Sequence, residues 1–178
     1  MAAALTIQGL EIRYGETVAL TGVDLQLPAG SSLAVIGPNG SGKSTLLNVL
    51  NGTTKPTFGK VLLNGIDIHL DAELIKGTIG HIGQEDSLIS ELTVRQNLRY
   101  SAQLTFGKLS DIAIDEKVDS TLQSLGLWET KDLRVGSVLD KTISGGQRKR
   151  LNIALELIRE PLVLFVDEPT SGLSSHDS

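Results

Sequence analysis

The stretch GPNGSGKST at residues 37–45 decides the fold class, because it follows the apolar run LAVI at residues 33–36 and leads into STLLNVL at residues 44–50. A short, continuous apolar run is typical of a buried strand, and the pattern that begins at Ser44 predicts a helix. Strand, glycine-rich loop and helix in this order are the context that a phosphate-binding loop requires. The sequence therefore predicts an α/β protein with a phosphate site at this loop.

The residue types of the loop match the chemistry of a polyphosphate. Glycines let the backbone curve with its N–H groups turned inward, and the helix that follows adds the positive end of its dipole. Lys43 is predicted to bridge the outer phosphates and to act in catalysis, and the Ser44 hydroxyl to ligate Mg²⁺, which prefers hard oxygen ligands. The alternative is a chance glycine loop with Lys43 as a surface charge. The predicted phosphate ligands are Gly37, Asn39, Gly40, Ser41, Gly42, Lys43, Ser44 and Thr45.

A second apolar run, LVLFV at residues 162–166, ends in the two carboxylates Asp167 and Glu168. We expect Asp167 to hold Mg²⁺ through water and Glu168 to orient or deprotonate an attacking water. Adjacent acids after a strand also occur as simple loop caps. Because a phosphate loop is also present, we favour the interpretation of Asp167 as a metal ligand and Glu168 as a general base. Phosphoryl transfer depends on positioning and charge neutralisation, which these groups would provide.

The remaining pattern surrounds this site with two further parts. Residues 5–27 read as two strands around a turn at Tyr14-Gly15. More strands are predicted within residues 60–68 and 78–82, with a turn at Asn64-Gly65. The middle of the chain is helical, so we predict an inserted helical subdomain over residues 88–142 within a single domain of residues 1–178.

Local signals set the limits of the helices. Thr93 and Gln96 form a capping-box pattern, and Gly126 is placed to end the helix that carries Val118 and Leu122. A last helix follows Ser144, with apolar residues on one face.

Composition excludes several classes of protein. The 178 residues suit one domain and contain no cysteine, which rules out a disulfide scaffold or a thiolate metal site. The net charge of −5 argues against an extended nucleic-acid surface. The first residues predict a strand and no secretory signal, and the longest apolar runs fall well short of a membrane span.

The segment ISGGQRKR at residues 143–150 resembles the signature sequence of the ATP-binding cassette family. Ser144, Gly145 and Gly146 open a helix there, which makes a second anion-binding helix N-terminus. The resemblance implies the P-loop NTPase fold of that family: a mostly parallel core sheet, an N-terminal antiparallel β-subdomain and an inserted helical subdomain. It also implies ATP and Mg²⁺ as cofactors, and a head-to-tail dimer in which Ser144, Gly145 and Gly146 contact the ATP held by a second nucleotide-binding domain.

The resemblance extends over nearly the whole chain and adds two site residues. Tyr14 corresponds to the family's adenine-stacking aromatic residue; the alternative is a tyrosine of a turn or core. Gln84 resembles the glutamine that senses Mg²⁺, acts in catalysis and links to the membrane partner; the alternative is an exposed polar loop. Residues 169–173, PTSGL, resemble the loop that crosses the dimer interface.

Two departures from the family pattern are visible. Ser174 stands where the family usually has aspartate, and the family's switch histidine lies farther beyond the glutamate than this chain extends, since Glu168 is ten residues from its end. His176 is too close to serve, and we interpret His69 and His81 as ordinary strand or loop residues. We therefore expect a domain incomplete at its C-terminus that binds nucleotide better than it hydrolyses it.

The stretch ELTVRQNL at residues 91–98 and the basic run Arg148-Lys149-Arg150 are similar to the G-type, pigment-precursor-like exporters. One departure is Gln147, where that branch often has glutamate. This similarity implies a transmembrane permease as partner and a location at the cytoplasmic face of a membrane, with no nucleic acid bound. Two alternatives stay open: a soluble cassette ATPase acting on nucleic acid or ribosomes, and a short regulator that binds ATP without hydrolysis.

Overall fold

The computed structural model describes residues 5–83, 86–137 and 142–167. They belong to two units, one of Met1–Ile79 with Leu162–Phe165 and one of Gly80–Pro161 with Val166–Ser178. The strands are β1 (Leu5–Tyr14), β2 (Thr17–Leu27), β3 (Phe58–Leu63), β4 (Ile66–Asp67), β5 (Ile79–Ile82) and β6 (Val163–Val166). The helices are α1 (Lys43–Leu50), α2 (Val94–Thr105), α3 (Asp111–Ser124) and α4 (Gly145–Leu157), with short 3₁₀ turns at Ala72–Ile75 and Trp128–Thr130.

The first unit is built on an antiparallel sheet in the order β2-β1-β3-β4. Leu5 lies opposite Leu27 of β2 on one side and opposite Leu63 of β3 on the other. Both predicted turns are present, the first shifted by one residue: Gly15-Glu16 joins β1 to β2, and Asn64-Gly65 joins β3 to β4. Asn64 and Gly65 both have positive φ, 53° and 81°, as a two-residue turn between twisted strands requires. The antiparallel β-subdomain predicted from the sequence is confirmed.

A bulge at Gly9 keeps the apolar side chains on both sides of it facing the core. The register with β2 shifts between Ile7 and Leu10, so that both side chains are buried although they are three residues apart. The Gly9 N–H donates to Asp24 Oδ1 at 2.7 Å. On the neighbouring strand, a Cβ at Gly59 would lie 2.4 Å from the Gly9 carbonyl oxygen, so only glycine fits at this crossing.

One face of this sheet and the end of α1 enclose the core of the first unit. Val49 and Leu50, the last residues of α1, pack against it, and Phe165 of β6 joins them. The other buried members are Leu5, Ile7, Leu10, Ile12, Val61, Leu63, Ile68 and Ile75. Because α1 is anchored by its C-terminal residues, its N-terminal turn is left for the phosphate loop.

The prediction of a buried strand at residues 33–36 is wrong for the described structure. These residues belong to neither sheet, and Leu33, Val35 and Ile36 are 49%, 40% and 92% exposed. An apolar run becomes a buried strand only where neighbouring strands satisfy its backbone on both sides. Within residues 5–83, 86–137 and 142–167, no strand is paired with this run.

Strands β5 and β6 form a second, two-stranded sheet. The Thr78 carbonyl accepts from the Leu162 N–H at 2.7 Å, and the Ile82 carbonyl accepts from the Asp167 N–H at 2.9 Å. Since the residue numbers increase in the same direction along both strands from the first bond to the second, the strands are parallel. Their carboxyl ends therefore lie side by side, as the predicted α/β class requires.

Helices α2, α3 and α4 build the core of the second unit. The capping box of α2 is confirmed: the Gln96 N–H donates to Thr93 Oγ1 at 3.1 Å, and the Thr93 N–H donates to Gln96 Oε1 at 2.9 Å. Helix α3 ends just before Gly126, as predicted. The buried residues are Val94, Leu98, Ala102, Ile114, Val118, Leu122, Leu127, Val135, Ile143, Leu151, Ala154 and Ile158. The limits 88–142 of the helical subdomain stay a prediction.

An ion-pair ladder joins α2 to α3. Arg95 pairs with Asp115 and Asp119 at 3.2 and 3.0 Å, and Arg99 pairs with Asp111 and Asp115 at 2.9 Å each. The hydrogen bond to Asp115 is the main reason that the pKa of Arg99 is raised. These side chains are partly exposed, so the ladder adds modestly to a stability that comes mainly from the apolar core. None of the helices in the described part of the chain is both long and apolar enough to cross a membrane.

We predict that His69 makes the first unit sensitive to mild acid. Its Nε2 is buried without a hydrogen-bond partner, and burial lowers its pKa below 6.5. Below pH 6.5 the unfolded chain therefore binds a proton that the folded chain resists, so stability falls as the pH drops towards the folded pKa. Urea unfolding at about pH 7.5 and about pH 5.5 should show a smaller loss for His69→Gln than for the parent.

The exposed His81 provides the matched control. His81→Gln should lose as much unfolding free energy between the two pH values as the parent does. An equal loss for His69→Gln and the parent would show that His69 is not the source of the acid sensitivity.

Candidate functional site

The N-terminus of α1 is open towards the phosphate loop. Gly42 is the N-cap residue at φ 90°, no side chain caps the helix, and its first turn contains no acidic residue. The first hydrogen bond within the helix runs from the Leu46 N–H to the Gly42 carbonyl at 2.9 Å, which leaves the N–H groups before Leu46 without an acceptor inside the helix. Such N–H groups, together with the positive end of the helix dipole, form an anion-binding site.

The Lys43 side chain lies back over the same loop. Its Nζ donates to the carbonyl oxygens of Gly37 at 3.0 Å and of Pro38 at 2.8 Å. An ammonium group has three donors, so these two bonds hold Lys43 in place and leave one N–H for a phosphate oxygen. The loop thus fixes the position of its own cation before any ligand arrives.

Backbone conformation and close packing together explain Gly42 of the loop. Its φ is 90°, and a Cβ there would lie 3.0 Å from Leu20 Cδ2 and 3.3 Å from the Ala19 carbonyl oxygen. The other predicted phosphate ligands are reachable from solvent: Asn39, Gly40, Ser41 and Ser44 are exposed and Thr45 is half-buried. All eight predicted loop residues therefore lie at, or directly before, the uncapped N-terminus of α1.

Tyr14 ends β1, at the hairpin turn, and is 57% exposed. It lies in the same unit as the phosphate loop, and β2 of that hairpin packs on Gly42 through Leu20. An exposed aromatic side chain at a turn provides a surface on which a planar ring can stack. Its role towards adenine stays a prediction.

Asp167 directly follows β6 and is half-buried, with its backbone bonded to Ile82 of β5. The carboxylate of Asp167 and the hydroxyl of Ser44 are hard oxygen donors, the kind that Mg²⁺ prefers. Gln84 and Glu168, and the segment 169–174 with Ser174, lie outside the described residues. The roles predicted for them stay predictions.

The signature segment opens α4 with a complete capping box. The Gln147 N–H donates to Ser144 Oγ at 3.1 Å, and the Ser144 N–H donates to Gln147 Oε1 at 2.7 Å. Ser144 Oγ is an acceptor in this box, so its own O–H stays available as a donor, and both Ser144 and Gly145 are exposed. Glutamate and glutamine can both serve at the Gln147 position of such a box, which accounts for the departure seen in the sequence.

One residue of this region carries a role that no motif indicates. Arg148 is only 8% exposed, and its guanidinium pairs with Asp86 at 3.0 Å. The sequence offers one signal for this: Arg148, Asn152 and Leu155 follow the helical spacing of the buried face of α4. Their partners, far away in the sequence, could not be identified from that spacing.

We predict that Gly42→Ala weakens binding of MgATP about tenfold or more, because a methyl group there would press on Leu20 of β2 and displace the helix end. Gly52→Ala is the matched control, since Gly52 also has a positive φ of 85° but open space around its Cβ position. Calorimetric titration of both variants measures the difference. Equal losses of affinity would mean that backbone strain alone, and not the cradle, explains the result.

We also predict that Lys43→Ala reduces the affinity for MgATP by roughly 10- to 100-fold, the range expected when one hydrogen bond between charged groups is removed. Calorimetry at matched ionic strength tests this, with the exposed Lys60→Ala as a control for net charge. An unchanged affinity in Lys43→Ala would overturn the assignment of the phosphate site.

Comparison with known proteins agrees with the predicted fold class. The solved structure of cbiO1 from Clostridium perfringens, described as part of the ABC transporter complex cbiONQ, superposes with a TM-score of 0.85 at 33% identity, covering 97% of this chain and 68% of that one. Its similarity confirms the P-loop fold of an ABC ATPase for this chain.

Curated relatives point to the same family. The chain is 39% identical to the daunorubicin resistance ATP-binding protein DrrA3 of Streptomyces coeruleorubidus, over 96% of this chain and 52% of the relative. It is 38% identical to ABC transporter G family member 23 of Arabidopsis thaliana, over 98% of this chain and 29% of the relative. The chain thus spans about half or less of these two proteins, and the second supports the G-type similarity.

A sequence profile of the family described as ABC transporter matches residues 20–171, a range that includes the phosphate loop, the strand that precedes Asp167 and the capped helix of the signature. The match covers well over half of the chain and coincides with both helix N-termini described above. The protein therefore belongs to the ABC transporter family.

Proposed function

We propose that this domain binds MgATP and hydrolyses it to drive transport by an ABC exporter. The observation that carries the proposal is the uncapped N-terminus of α1, with Lys43 Nζ fixed over the loop carbonyls. A helix end without a capping side chain or an acidic first turn costs stability unless an anion occupies it. A triphosphate supplies such an anion.

Ser44 and Asp167 would hold Mg²⁺, with Gln84 as a further oxygen ligand. When bound, Mg²⁺ neutralises charge on the phosphate oxygens. Glu168 would act as the general base, by orienting or deprotonating the attacking water. Lys43 would stabilise the charge that develops on the transferred phosphoryl group, because its position is set in advance by two backbone bonds.

Ser144, Gly145 and Gly146 would complete the site from a second nucleotide-binding domain. The capping box leaves the Ser144 hydroxyl proton free, and Gly145 is exposed, so that helix end offers donors to a γ-phosphate. We infer that two copies, or two paired cassettes, enclose two ATP molecules head to tail. ATP would then link the two domains, and hydrolysis would let them separate.

We further propose a transmembrane permease as partner, which would place the domain at the cytoplasmic face of a membrane. The G-type similarity supports an exporter. Residues 85–100, which follow Gln84, would pass the motion of closure to that partner. Purification of the intact protein from membranes, compared with purification from ribosome or nucleic-acid fractions, separates this proposal from the soluble alternative.

We predict that Glu168→Gln lowers steady-state ATP hydrolysis by about 100-fold or more, the range of a lost general base, and changes MgATP affinity little. The variant should also accumulate a dimer in the presence of MgATP, because the step that separates the dimer is blocked. Phosphate release and sedimentation velocity measure the two effects.

Glu116→Gln, at an exposed position of α3, is the matched control and should behave as the parent does. Hydrolysis by Glu168→Gln at the parent rate would show that another residue is the base. MgATP binding by the parent with neither hydrolysis nor a dimer in either protein would favour the regulator that binds ATP without turnover.

A further inference from the structure

Three buried polar side chains hold one short segment of the second unit. Among the described residues, the polar or charged side chains that are buried are Asn97, Arg148 and Asn152. Arg148 and Asn152 lie on α4, and Asn97 lies on α2. All three make hydrogen bonds to residues 86–93, the segment between β5 and α2. Buried polar groups are costly unless satisfied, so their convergence on one segment calls for an explanation.

Arg148 makes the most extensive of these contacts. Its Nε donates to Asp86 Oδ2 at 3.0 Å and its Nη2 donates to Asp86 Oδ1 at 3.3 Å, a two-point grip on one carboxylate. Its Nη1 donates to the carbonyl oxygens of Val135 at 3.3 Å and Gly136 at 2.7 Å. One guanidinium thus joins the first turn of α4 to two segments that are distant from it in the sequence.

The two asparagines extend this grip along the segment. Asn152 Oδ1 accepts from the Ser87 N–H at 3.4 Å. Asn97 Oδ1 accepts from the Ile89 N–H at 2.9 Å, and Asn97 Nδ2 donates to the Ile89 and Thr93 carbonyls at 3.1 and 3.0 Å. The segment therefore has backbone anchors at three points between Ser87 and Thr93.

Backbone bonds connect the same two segments directly. The Gly136 N–H donates to the Ser90 carbonyl and the Val135 N–H donates to the Leu92 carbonyl, both at 3.0 Å. Residues 135 and 136 thus bond to the segment 86–93 through their N–H groups and to Arg148 through their carbonyl oxygens. Because Arg148 also binds Asp86, its guanidinium connects the start of α4 to both segments.

Stability alone does not explain this arrangement. A cation in the first turn of a helix opposes the helix dipole, and Arg148 is the fourth residue after the N-cap Ser144. A buried ion pair is also often no more stabilising than apolar side chains of the same volume. Arginine differs in that its rigid fork holds three separate acceptor groups in a fixed geometry, which lysine cannot do.

We propose that Arg148 is a positioning residue that makes the segment 86–93 and the N-terminus of α4 move as one body. The Ser144-Gly145-Gly146 turn would thereby be held in a fixed orientation relative to the segment that follows β5. This rests on the proposed function only in that the α4 terminus faces ATP in a dimer. The clamp itself is a property of the described second unit.

Hydrogen exchange tests the clamp in the full 178-residue chain. The readout is the exchange rate of the Val135 and Gly136 amides divided by that of Leu98, a core residue of α2, which cancels changes in global stability. Arg148→Lys keeps the charge but loses the fork, so this ratio should rise about tenfold or more. Arg159→Lys is the matched control, since the partner of Arg159 among the described residues is the nearby, partly buried Glu156. A parent-like ratio in Arg148→Lys would overturn the proposal.

A paired substitution separates positioning from stabilisation. Asp86→Leu combined with Arg148→Met removes both charges together, which avoids leaving one buried and unpaired. If the pair only stabilises the fold, this double variant should recover both the parent's melting temperature and its exchange ratio. We expect the ratio to stay raised whatever the melting temperature, because no guanidinium remains to hold the carbonyl oxygens of residues 135 and 136. Return of the ratio to the parent value would overturn the proposal.

A third measurement links the clamp to nucleotide chemistry. Arg148→Lys added to Glu168→Gln should leave the MgATP affinity of the monomer unchanged, because the phosphate loop lies in the other unit, and should weaken the MgATP-dependent dimer about tenfold. An undiminished dimer would count against the clamp's part in positioning α4. If Glu168→Gln alone forms no dimer, the proposed function fails while the exchange ratio still decides the clamp.

Discussion

Backbone N–H groups without partners at the start of a helix are the constraint on which this site depends. A helix leaves its first N–H groups unsatisfied whatever its sequence, and most helices cover them with a serine, threonine or aspartate side chain. Helix α1 begins at a glycine with no capping side chain, while α2 and α4 both carry complete capping boxes. The two helix ends therefore differ: the N–H groups that start α1 have no side-chain acceptor, whereas Ser144 already accepts from one of those that start α4. We propose that the first end binds the phosphates of a nucleotide held by its own domain, and that the second binds those of a nucleotide held by a second domain.

Much of the fold follows from signals within a few residues of one another, and these were predictable. The capping box at Thr93 and Gln96, the turn at Asn64-Gly65 and the end of α3 before Gly126 each arise from local backbone chemistry. The phosphate loop was predictable for the same reason, because its glycines, lysine and helix are contiguous. Local rules describe these parts well since their hydrogen-bond partners are near in sequence.

Other features depend on partners that the sequence does not bring together. Residues 33–36 have the composition of a buried strand but no neighbouring strand in the described structure, so composition misled the prediction. Arg148 belongs to the basic run Arg148-Lys149-Arg150, yet its acceptor groups lie 62 and 12 to 13 residues away. Pairing over such distances is decided by packing of the helices, which periodicity indicates only as a buried face. The buried Nε2 of His69 was unpredictable for the same reason.

The ladder between α2 and α3 has a mechanical consequence. All its cations lie on α2, one turn apart at Arg95 and Arg99, and all its anions lie on α3, at successive turns. A shift of one helix by a single turn, about 5.4 Å, would still bring arginines next to aspartates. Coulomb attraction therefore resists pulling the helices apart far more than sliding them along each other. The packing of the apolar core side chains, and not the ion pairs, therefore determines the position of the two helices along each other.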